Sequence, residues 1–281
     1  MSRLLTVGCV QPTSRVSHAG NAQGLEQAIR ALAAQGATLI ATPEMTGALD
    51  RNRARLLAEA RTPDADPTLA LVRGLARELS VWVLIGSNPV LPHDGAQRLV
   101  NRQFLVSPQG ETVASYDKLH MFDVDLPGGE SYRESALYDA GSTLVLVKTG
   151  IGALGLSICY DLRFGPLYAA LAQAGAEILF VPAAFTAVTG AAHWHVLLRA
   201  RAIETGCYVV AAAQTGTHED GRTTYGHSLI VDPWGRVLAD AGAEPGTILA
   251  TLDLDAVQET RSRIPTLDHA RALPPVLTVQ G

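Results

Sequence analysis

One eight-residue pattern occurs twice in the sequence, as Gly36-Ala37-Thr38-Leu39-Ile40-Ala41-Thr42-Pro43 and as Gly175-Ala176-Glu177-Ile178-Leu179-Phe180-Val181-Pro182. Each copy is a short apolar run bounded by Gly and Pro, which is typical of a strand buried on both faces. Each copy also follows a stretch, Gln27–Gln35 or Leu167–Ala174, whose apolar residues have the spacing of a helix. The sequence therefore contains the same helix-and-strand unit in each half.

Further matches extend the repeat in both directions: Leu4–Val10 with Ala153–Cys159, Leu71–Leu84 with Leu197–Val210, and Phe104–Gly110 with Leu229–Gly235. Each half predicts strand, helix, strand, helix, strand, and then a strand pair around a Pro-x-Gly turn. Packing the apolar sheet faces of the two halves together gives an α/β fold, a four-layer α-β-β-α sandwich with pseudo-symmetric halves. We expect one domain over residues 1–273 and a tail at 274–281. The alternative is two independent α/β domains joined near Ala140–Thr143.

The composition excludes several classes of protein. Of the 281 residues, 47% are hydrophobic and 17% are charged, which argues against a disordered chain and is typical of a protein with a subunit interface. A net charge of −5 argues against a nucleic-acid partner. No apolar run is long enough for a membrane span, and the first residues do not resemble a signal peptide. Three cysteines without a C-x-x-C pair favour a reducing, cytoplasmic location, with Cys9 and Cys207 expected in the core.

Three chemically reactive residues break the repeat at predicted strand ends. Cys159 lies where the predicted strand Gly152–Ile158 meets a predicted helix, whose backbone N–H groups and dipole would lower the pKa of the thiol. Glu44 and Lys118 each lack a charged counterpart in the second half. The alternatives are a buried structural cysteine, a helix-capping glutamate and a solvated lysine. Because ligand sites gather at strand ends of α/β sheets, we expect the three to share one site.

Three segments, in this order, resemble the signature motifs of the nitrilase superfamily of carbon–nitrogen hydrolases: Thr42–Met45, Tyr116–Asp123 and Ser157–Phe164. Further segments resemble its branch of omega-amidases and deaminated-glutathione amidases: Glu134-Ser135, Thr189–Trp194, Arg199–Glu204 and Tyr225–Ser228. The resemblance runs from the first strand to about Leu273. It implies the sandwich fold deduced above and a homodimer or higher homo-oligomer.

The resemblance also implies a mechanism. Position by position, Cys159 is the nucleophile, Glu44 the general base and later acid, Lys118 the stabiliser of the oxyanion, and Glu134 a positioning residue. The implied reaction is hydrolysis of a small carboxylate-bearing ω-amide, preferably deaminated glutathione or a 2-oxo-acid amide, through a cysteine thioester with release of ammonia or an amine. No cofactor or metal is implied. The alternatives are an N-carbamoyl compound, a nitrile or an aliphatic amide as substrate, or a catalytically silent binding or scaffold protein.

Four further residues are candidates for contact with substrate: Tyr160, Arg163, Phe122 and Phe185. Arg163 would bind a substrate carboxylate or pair with an acid such as Asp161. Gly165-Pro166 stands where many members have Pro-Glu, and His195 stands where the branch usually has Glu, so the exact substrate stays open. His193 and His195 point about 200° apart on a predicted helix, which argues against a shared metal ion. The long segment Met121–Arg133 is a candidate lid.

Overall fold

Sixteen strands and six α-helices are present in residues 3–126 and 129–280, the part of the chain that the computed structural model describes. The strands are β1 (Leu4–Gln11), β2 (Leu39–Ala41), β3 (Trp82–Val90), β4 (Val100–Val106), β5 (Thr112–Asp117), β6 (Asp123–Asp125), β7 (Ser131–Arg133), β8 (Leu146–Thr149), β9 (Gly152–Gly155), β10 (Ile178–Phe180), β11 (Tyr208–Ala211), β12 (Thr215–Thr217), β13 (Thr223–Tyr225), β14 (Leu229–Val231), β15 (Val237–Asp240) and β16 (Gly246–Asp253). The helices are α1 (His18–Ala34), α2 (Arg53–Glu59), α3 (Pro67–Leu79), α4 (Gly165–Gln173), α5 (Ala187–Thr205) and α6 (Asp255–Arg263).

The strand order repeats between two six-stranded sheets. The first sheet has the order β16-β1-β2-β3-β4-β5 and the second has the order β15-β14-β11-β10-β9-β8. In each sheet three parallel strands are followed by two antiparallel ones, which is the unit that the sequence repeat predicts. Each sheet also gains an edge strand that the repeat did not predict, β16 beside β1 and β8 beside β9.

Alternate residues of the first sheet belong to two different cores. Leu39 and Leu84 share a buried cluster with Leu179 of the second sheet. Their neighbours Ile40 and Val83 point the other way and pack against helices α1 and α3. Because side chains alternate along a strand, this division places one face of the sheet on the second sheet and the other face on helices. The predicted α-β-β-α sandwich is confirmed.

The two predicted Pro-x-Gly turns connect β4 to β5 and β14 to β15. In the first, the Ser107 N–H donates to the Glu111 carbonyl at 2.9 Å. In the second, the Asp232 N–H donates to the Arg236 carbonyl, also at 2.9 Å. Each turn contains a glycine with a left-handed backbone, Gly110 at a φ of 74° and Gly235 at a φ of 81°. Glycine adopts this conformation without the steric cost that a Cβ would add.

The segment near Ala140–Thr143 joins the halves without separating them. The Asp139 N–H donates to the Leu99 carbonyl and the Gly141 N–H to the Lys118 carbonyl, both at 2.8 Å, so the connection is bonded to the first half. Together with the core shared by the two sheets, this supports our proposal of one domain over residues 1–273. Residues 274–280 are exposed and have no helix or strand. In the described ranges, no helix has the length and apolarity needed to cross a bilayer.

Candidate active site

Glu44 lies in the turn that follows β2, and its carboxylate is buried at 4% exposure. One oxygen, Oε1, accepts hydrogen bonds from Lys118 Nζ at 3.0 Å and from Asn101 Nδ2 at 2.8 Å. The other, Oε2, accepts from the backbone N–H of Ala184 at 2.8 Å. Its contacts reach across both sheets, so Glu44 is not the helix cap that local sequence allowed.

Lys118 follows β5 and is 2% exposed, so it is not a solvated surface charge. Its ammonium donates to Glu44 at 3.0 Å and to Glu134 at 2.8 and 3.0 Å. Its backbone N–H donates to the Asn101 carbonyl on β4 at 3.0 Å. The cation is therefore held between two carboxylates at the end of the first sheet.

Cys159 lies between the second sheet and α4, and its thiol is near enough to the Glu44 carboxylate for each group to shift the pKa of the other. The predicted strand over Gly152–Ile158 ends earlier, at Gly155, and Cys159 opens a short 3-10 turn that reaches Arg163. The backbone of Cys159 has a left-handed φ of 48°, and its N–H donates to the Pro182 carbonyl at 2.9 Å. A non-glycine residue in this conformation is held there by its surroundings, as often happens at functional sites.

The prediction that this position lowers the pKa of the Cys159 thiol is wrong. The pKa of Cys159 lies well above its ordinary value, mainly because burial disfavours a thiolate and also because the Glu44 carboxylate is adjacent. Lys118 opposes this shift without cancelling it. The turn after Cys159 is also too short to supply a strong helix dipole. The sulfur therefore keeps its proton until a base removes it.

The charges around the thiol are fixed by mutual contact. Burial alone would raise the pKa of Glu44, but Lys118, the Cys159 thiol and the Ala184 N–H bring it below its ordinary value. Burial alone would lower the pKa of Lys118, but the carboxylates of Glu134 and Glu44 hold it well above its ordinary value. The site therefore contains a carboxylate and an ammonium beside a protonated thiol at neutral pH.

Two residues complete the polar cluster. Glu134 Oε2 accepts from the Phe122 N–H at 2.7 Å, which fixes the carboxylate on Lys118. Asn101 Nδ2 donates to Glu44 at 2.8 Å and to Glu134 at 3.1 Å. Sequence reasoning missed Asn101, although it too breaks the repeat: the alignment of Phe104 with Leu229 places Gly226 opposite it.

The cluster opens into a cavity of about 270 Å³. Of the four candidate substrate contacts, Phe122, Tyr160 and Phe185 line this cavity. Arg163 is not among its lining residues; its guanidinium lies over the Tyr160 and Phe185 rings, 5.9 and 5.3 Å from their centroids. The suggested pairing of Arg163 with Asp161 is not found, since Asp161 accepts instead from Tyr116, His120 and the Ile158 N–H.

The candidate lid is partly a hairpin. Within Met121–Arg133, strands β6 and β7 pair with each other, and Phe122 and Tyr132 lie on the cavity wall. Residues 127 and 128 of this segment lie outside the described part of the chain. Closure of this segment over the site stays a prediction.

The mouth of the cavity carries positive charge. Arg51 lies over the ring of Tyr132 at 5.2 Å and Arg222 over the same ring at 5.9 Å. Arg222 comes from the hairpin of β12 and β13, and its buried Nε has no hydrogen-bond partner among the residues that the structure describes. Its nearest carboxylate, Asp220, is 3.6 Å from the guanidinium, longer than a hydrogen bond. These arginines are suited to an anionic group of a bound molecule.

The two departures from the family pattern lie away from the cavity lining. Gly165-Pro166 forms the first turn of α4, and a Cβ on Gly165 would meet the Arg201 guanidinium at 3.3 Å. His195 lies on α5 and contacts Asp240 rather than the cavity. Neither departure changes the cluster around Cys159.

Comparison with known proteins defines the class of protein. A family model described as carbon-nitrogen hydrolase matches residues 6–262. A relative in Synechocystis sp. (strain PCC 6803 / GT-S), named deaminated glutathione amidase, is 44% identical over 262 residues, covering 92% of this chain and 96% of its own. The crystal structure of the C. elegans NitFhit protein matches with a TM-score of 0.88 and 37% identity, covering 95% of this chain and 65% of NitFhit.

A second solved structure leads to the same class. Saccharomyces cerevisiae Nit3, described as a member of branch 10 of the nitrilase superfamily, matches with a TM-score of 0.84 and 26% identity over 93% of this chain and 94% of its own. The chain belongs to the carbon-nitrogen hydrolase family. The predictions of the superfamily and of an enzyme acting on carbon–nitrogen bonds are confirmed.

Proposed function

We propose that this enzyme hydrolyses the amide bond of deaminated glutathione and related 2-oxo-acid ω-amides, with Cys159 as nucleophile. The observation that carries the proposal is that Cys159, Glu44 and Lys118 line one cavity with arginines at its mouth, and that Lys118 donates a hydrogen bond to Glu44. A thiol, a proton acceptor and a fixed cation are the three groups that acyl transfer from an amide needs.

In the first half of the reaction, Cys159 Sγ attacks the amide carbonyl while Glu44 takes the thiol proton. The raised pKa of the thiol makes this transfer necessary, and the lowered pKa of Glu44 keeps the acceptor ionised. The negative oxygen of the tetrahedral intermediate is stabilised by the Lys118 ammonium and the Tyr160 N–H. Glu44 then returns the proton to the departing nitrogen, and the carbon–nitrogen bond breaks to leave a thioester.

In the second half, water replaces the amine. Glu44 removes a proton from the water as its oxygen attacks the thioester carbonyl, and the same proton returns to sulfur as the carbon–sulfur bond breaks. The products are a carboxylic acid and the amine, or ammonia for a primary amide. Glu134 and Asn101 act as positioning residues, because they hold Lys118 and Glu44 through the hydrogen bonds described above.

The choice of substrate rests on the relative and on the arginines. The Synechocystis relative covered over nearly its full length is named deaminated glutathione amidase. Deaminated glutathione carries two carboxylates, and Arg222 and Arg51 at the cavity mouth supply cations that can bind them. An uncharged aliphatic amide or nitrile would offer no carboxylate to the Nε of Arg222, which has no hydrogen-bond acceptor among the described residues.

The test is a substrate panel in which wild type is compared with Cys159→Ala. Deaminated glutathione and 2-oxoglutaramate both yield 2-oxoglutarate, so one coupled assay for that acid detects either hydrolysis. An N-carbamoyl amino acid, a nitrile and propionamide are followed by ammonia release. We expect turnover of the two 2-oxo amides by wild type and none by Cys159→Ala. Turnover of another panel member alone would reject the substrate, and turnover by Cys159→Ala would reject the mechanism.

Substitution of Arg222 separates substrate binding from the chemical step. We expect Arg222→Gln to raise KM for deaminated glutathione about tenfold or more, since a charge-assisted hydrogen bond contributes about 1.5–3 kcal/mol, with little change in kcat. Arg236→Gln is the matched control, because Arg236 is exposed and pairs with Asp232 away from the cavity. Equal KM values for wild type and Arg222→Gln would show that this guanidinium does not bind substrate.

The proposal also covers the oligomeric state of the chain and its location in the cell. We infer that the chain forms a homodimer, because Val196 and Ile203 are exposed on one face of α5, at 67% and 52%. Trp234 is also exposed, and the adjoining Gly235 lies against Ile203, which places Trp234 near this face. We further propose a cytoplasmic location, since Cys159 must stay reduced to act as a nucleophile. Cell fractionation with an antibody to the chain tests the location.

A further inference from the structure

A second cluster of functional side chains lies outside the catalytic cavity. It consists of His195 on α5, His227 in the connection from β13 to β14, and Asp240 at the end of β15. None of the three lines the cavity that holds Cys159. Sequence spacing could not reveal the cluster, because its members come from three separate elements.

The distances within the cluster match a metal site. His195 Nε2 is 3.1 Å from Asp240 Oδ2, and His227 Nδ1 is 3.0 and 3.2 Å from the two oxygens of the same carboxylate. All three ligand atoms lie within 4.8 Å of one another. Ligands about 2.0–2.2 Å from a tetrahedral Zn²⁺ are about 3.4 Å apart, so small rotations would place an ion between these atoms.

The surrounding contacts orient the three side chains as supporting contacts do in metal sites. The Gly242 N–H donates to Asp240 Oδ1 at 2.8 Å and holds the carboxylate in place. The His227 ring stacks on Tyr225 with 4.5 Å between centroids, and its carbonyl accepts from Trp194 Nε1 at 2.7 Å. The three side chains are one quarter to one third exposed, so an ion can reach them from solvent.

We propose that His195, His227 and Asp240 bind one Zn²⁺ ion, with water in the remaining position. Two imidazole nitrogens and one carboxylate oxygen form a ligand set that zinc accepts. The ion would join α5 to the β14–β15 hairpin and would not take part in amide hydrolysis. His193, the neighbour on α5, contacts Arg163 instead, so it is not part of this site.

A hydrogen-bonded cluster without a metal is the competing explanation, since each imidazole can donate an N–H to Asp240. Titration of EDTA-treated protein with zinc chloride in a calorimeter separates the two. We expect one Zn²⁺ per chain, and at least tenfold weaker binding in His195→Gln and in Asp240→Asn. Because Zn²⁺ also binds thiolates, the titration is repeated with Cys159→Ala, which should bind as wild type does. His93→Ala, an exposed histidine in a loop, is the matched control.

Two further measurements make the result independent of folding and activity. Co²⁺ should give the visible absorption of a tetrahedral site in wild type and lose it in His195→Gln, while circular dichroism confirms that the variant folds. The melting temperature of wild type should rise with zinc, and that of His195→Gln should not. Absence of zinc binding in wild type, or unchanged affinity in both ligand variants, would overturn the proposal and leave a hydrogen-bonded cluster.

Discussion

At the scale of single residues, the proposed mechanism depends on where the proton lies between the thiol of Cys159 and the carboxylate of Glu44. The pKa of Cys159 is raised and that of Glu44 is lowered, so the proton rests on sulfur and the base is ready to receive it. A cysteine enzyme that depends on a preformed thiolate would show the opposite order. The proposed mechanism is therefore general-base catalysis. Loss of the Glu44 carboxylate should slow the reaction more than a change of pH does.

Alkylation of Cys159 by iodoacetamide tests whether the thiol is protonated and Glu44 is ionised, as the two pKa shifts predict. Between about pH 5.5 and about pH 9 we expect a nearly flat rate for Cys159 in wild type, because Glu44 stays ionised above its lowered pKa and accepts the proton. In Glu44→Gln the rate should be much lower and should rise with pH, because only the scarce thiolate reacts. Mass spectrometry of the labelled peptide gives the rates.

Glu111→Gln is the control for this experiment, since Glu111 is an exposed carboxylate in the β4–β5 turn. Its profile should match wild type. A wild-type rate that climbs about tenfold per pH unit, as a free thiol does, would contradict the assignment of Glu44 as base. Cys9 and Cys207 are buried and serve as internal standards for slow labelling.

Part of the candidate site can be predicted from the sequence, because its residues break the internal repeat. The rest depends on tertiary contacts. Glu44, Lys118 and Cys159 were singled out because each interrupts a pattern that the other half preserves, and the structure brings them together. The direction of the thiol pKa was not predictable, because it depends on burial and on a carboxylate from another strand. Arg222 is a lone cation in a polar loop, and only tertiary structure shows that its Nε has no hydrogen-bond partner in the described part of the chain.

At the scale of elements, β3 passes unusually close to the turn that carries Glu44. A Cβ built on Gly86 would lie 2.1 Å from the Thr42 carbonyl oxygen, 2.4 Å from that of Pro43 and 2.5 Å from the Pro182 Cβ. These neighbours belong to the loops that follow β2 and β10, so Gly86 permits the two sheets to meet at the site. The repeat predicts a strand here and does not predict this requirement, because the contact joins the halves.

Gly86→Ala should therefore destabilise the fold by about 3 kcal/mol or more, at or above the upper end of the usual cost of overpacking, because backbone atoms cannot move aside cheaply. It should also lower kcat, since the Glu44 turn must shift. Gly74→Ala is the matched control: Gly74 lies within α3 with open space around it, and alanine there should stabilise by about 0.5–1 kcal/mol. Urea unfolding measures the change in the free energy of unfolding for both variants. A Gly86→Ala variant as stable as wild type would show that the close approach is not required.

At the scale of the whole molecule, the internal repeat carries most of the predictable information. It predicts the succession of five strands along the chain in each half, and the two turns, because buried strands and tight turns have local signatures. It could not place β16 beside β1, since that pairing joins the two ends of the chain. The paired sheets bury many apolar side chains in a shared core, which is consistent with the low charge fraction.

The exposed apolar face of α5 predicts that the chain associates through this helix. Val196 and Ile203 are seven positions apart on α5 and share a face, so they form one stripe beside Trp234. In water such a stripe favours association, and we expect light scattering to give the mass of a dimer for wild type and of a monomer for Val196→Asp/Ile203→Asp. Val113→Asp, at an exposed position on β5 of the other sheet, should remain dimeric. A monomeric wild type, or a dimeric double variant, would assign the stripe no part in association.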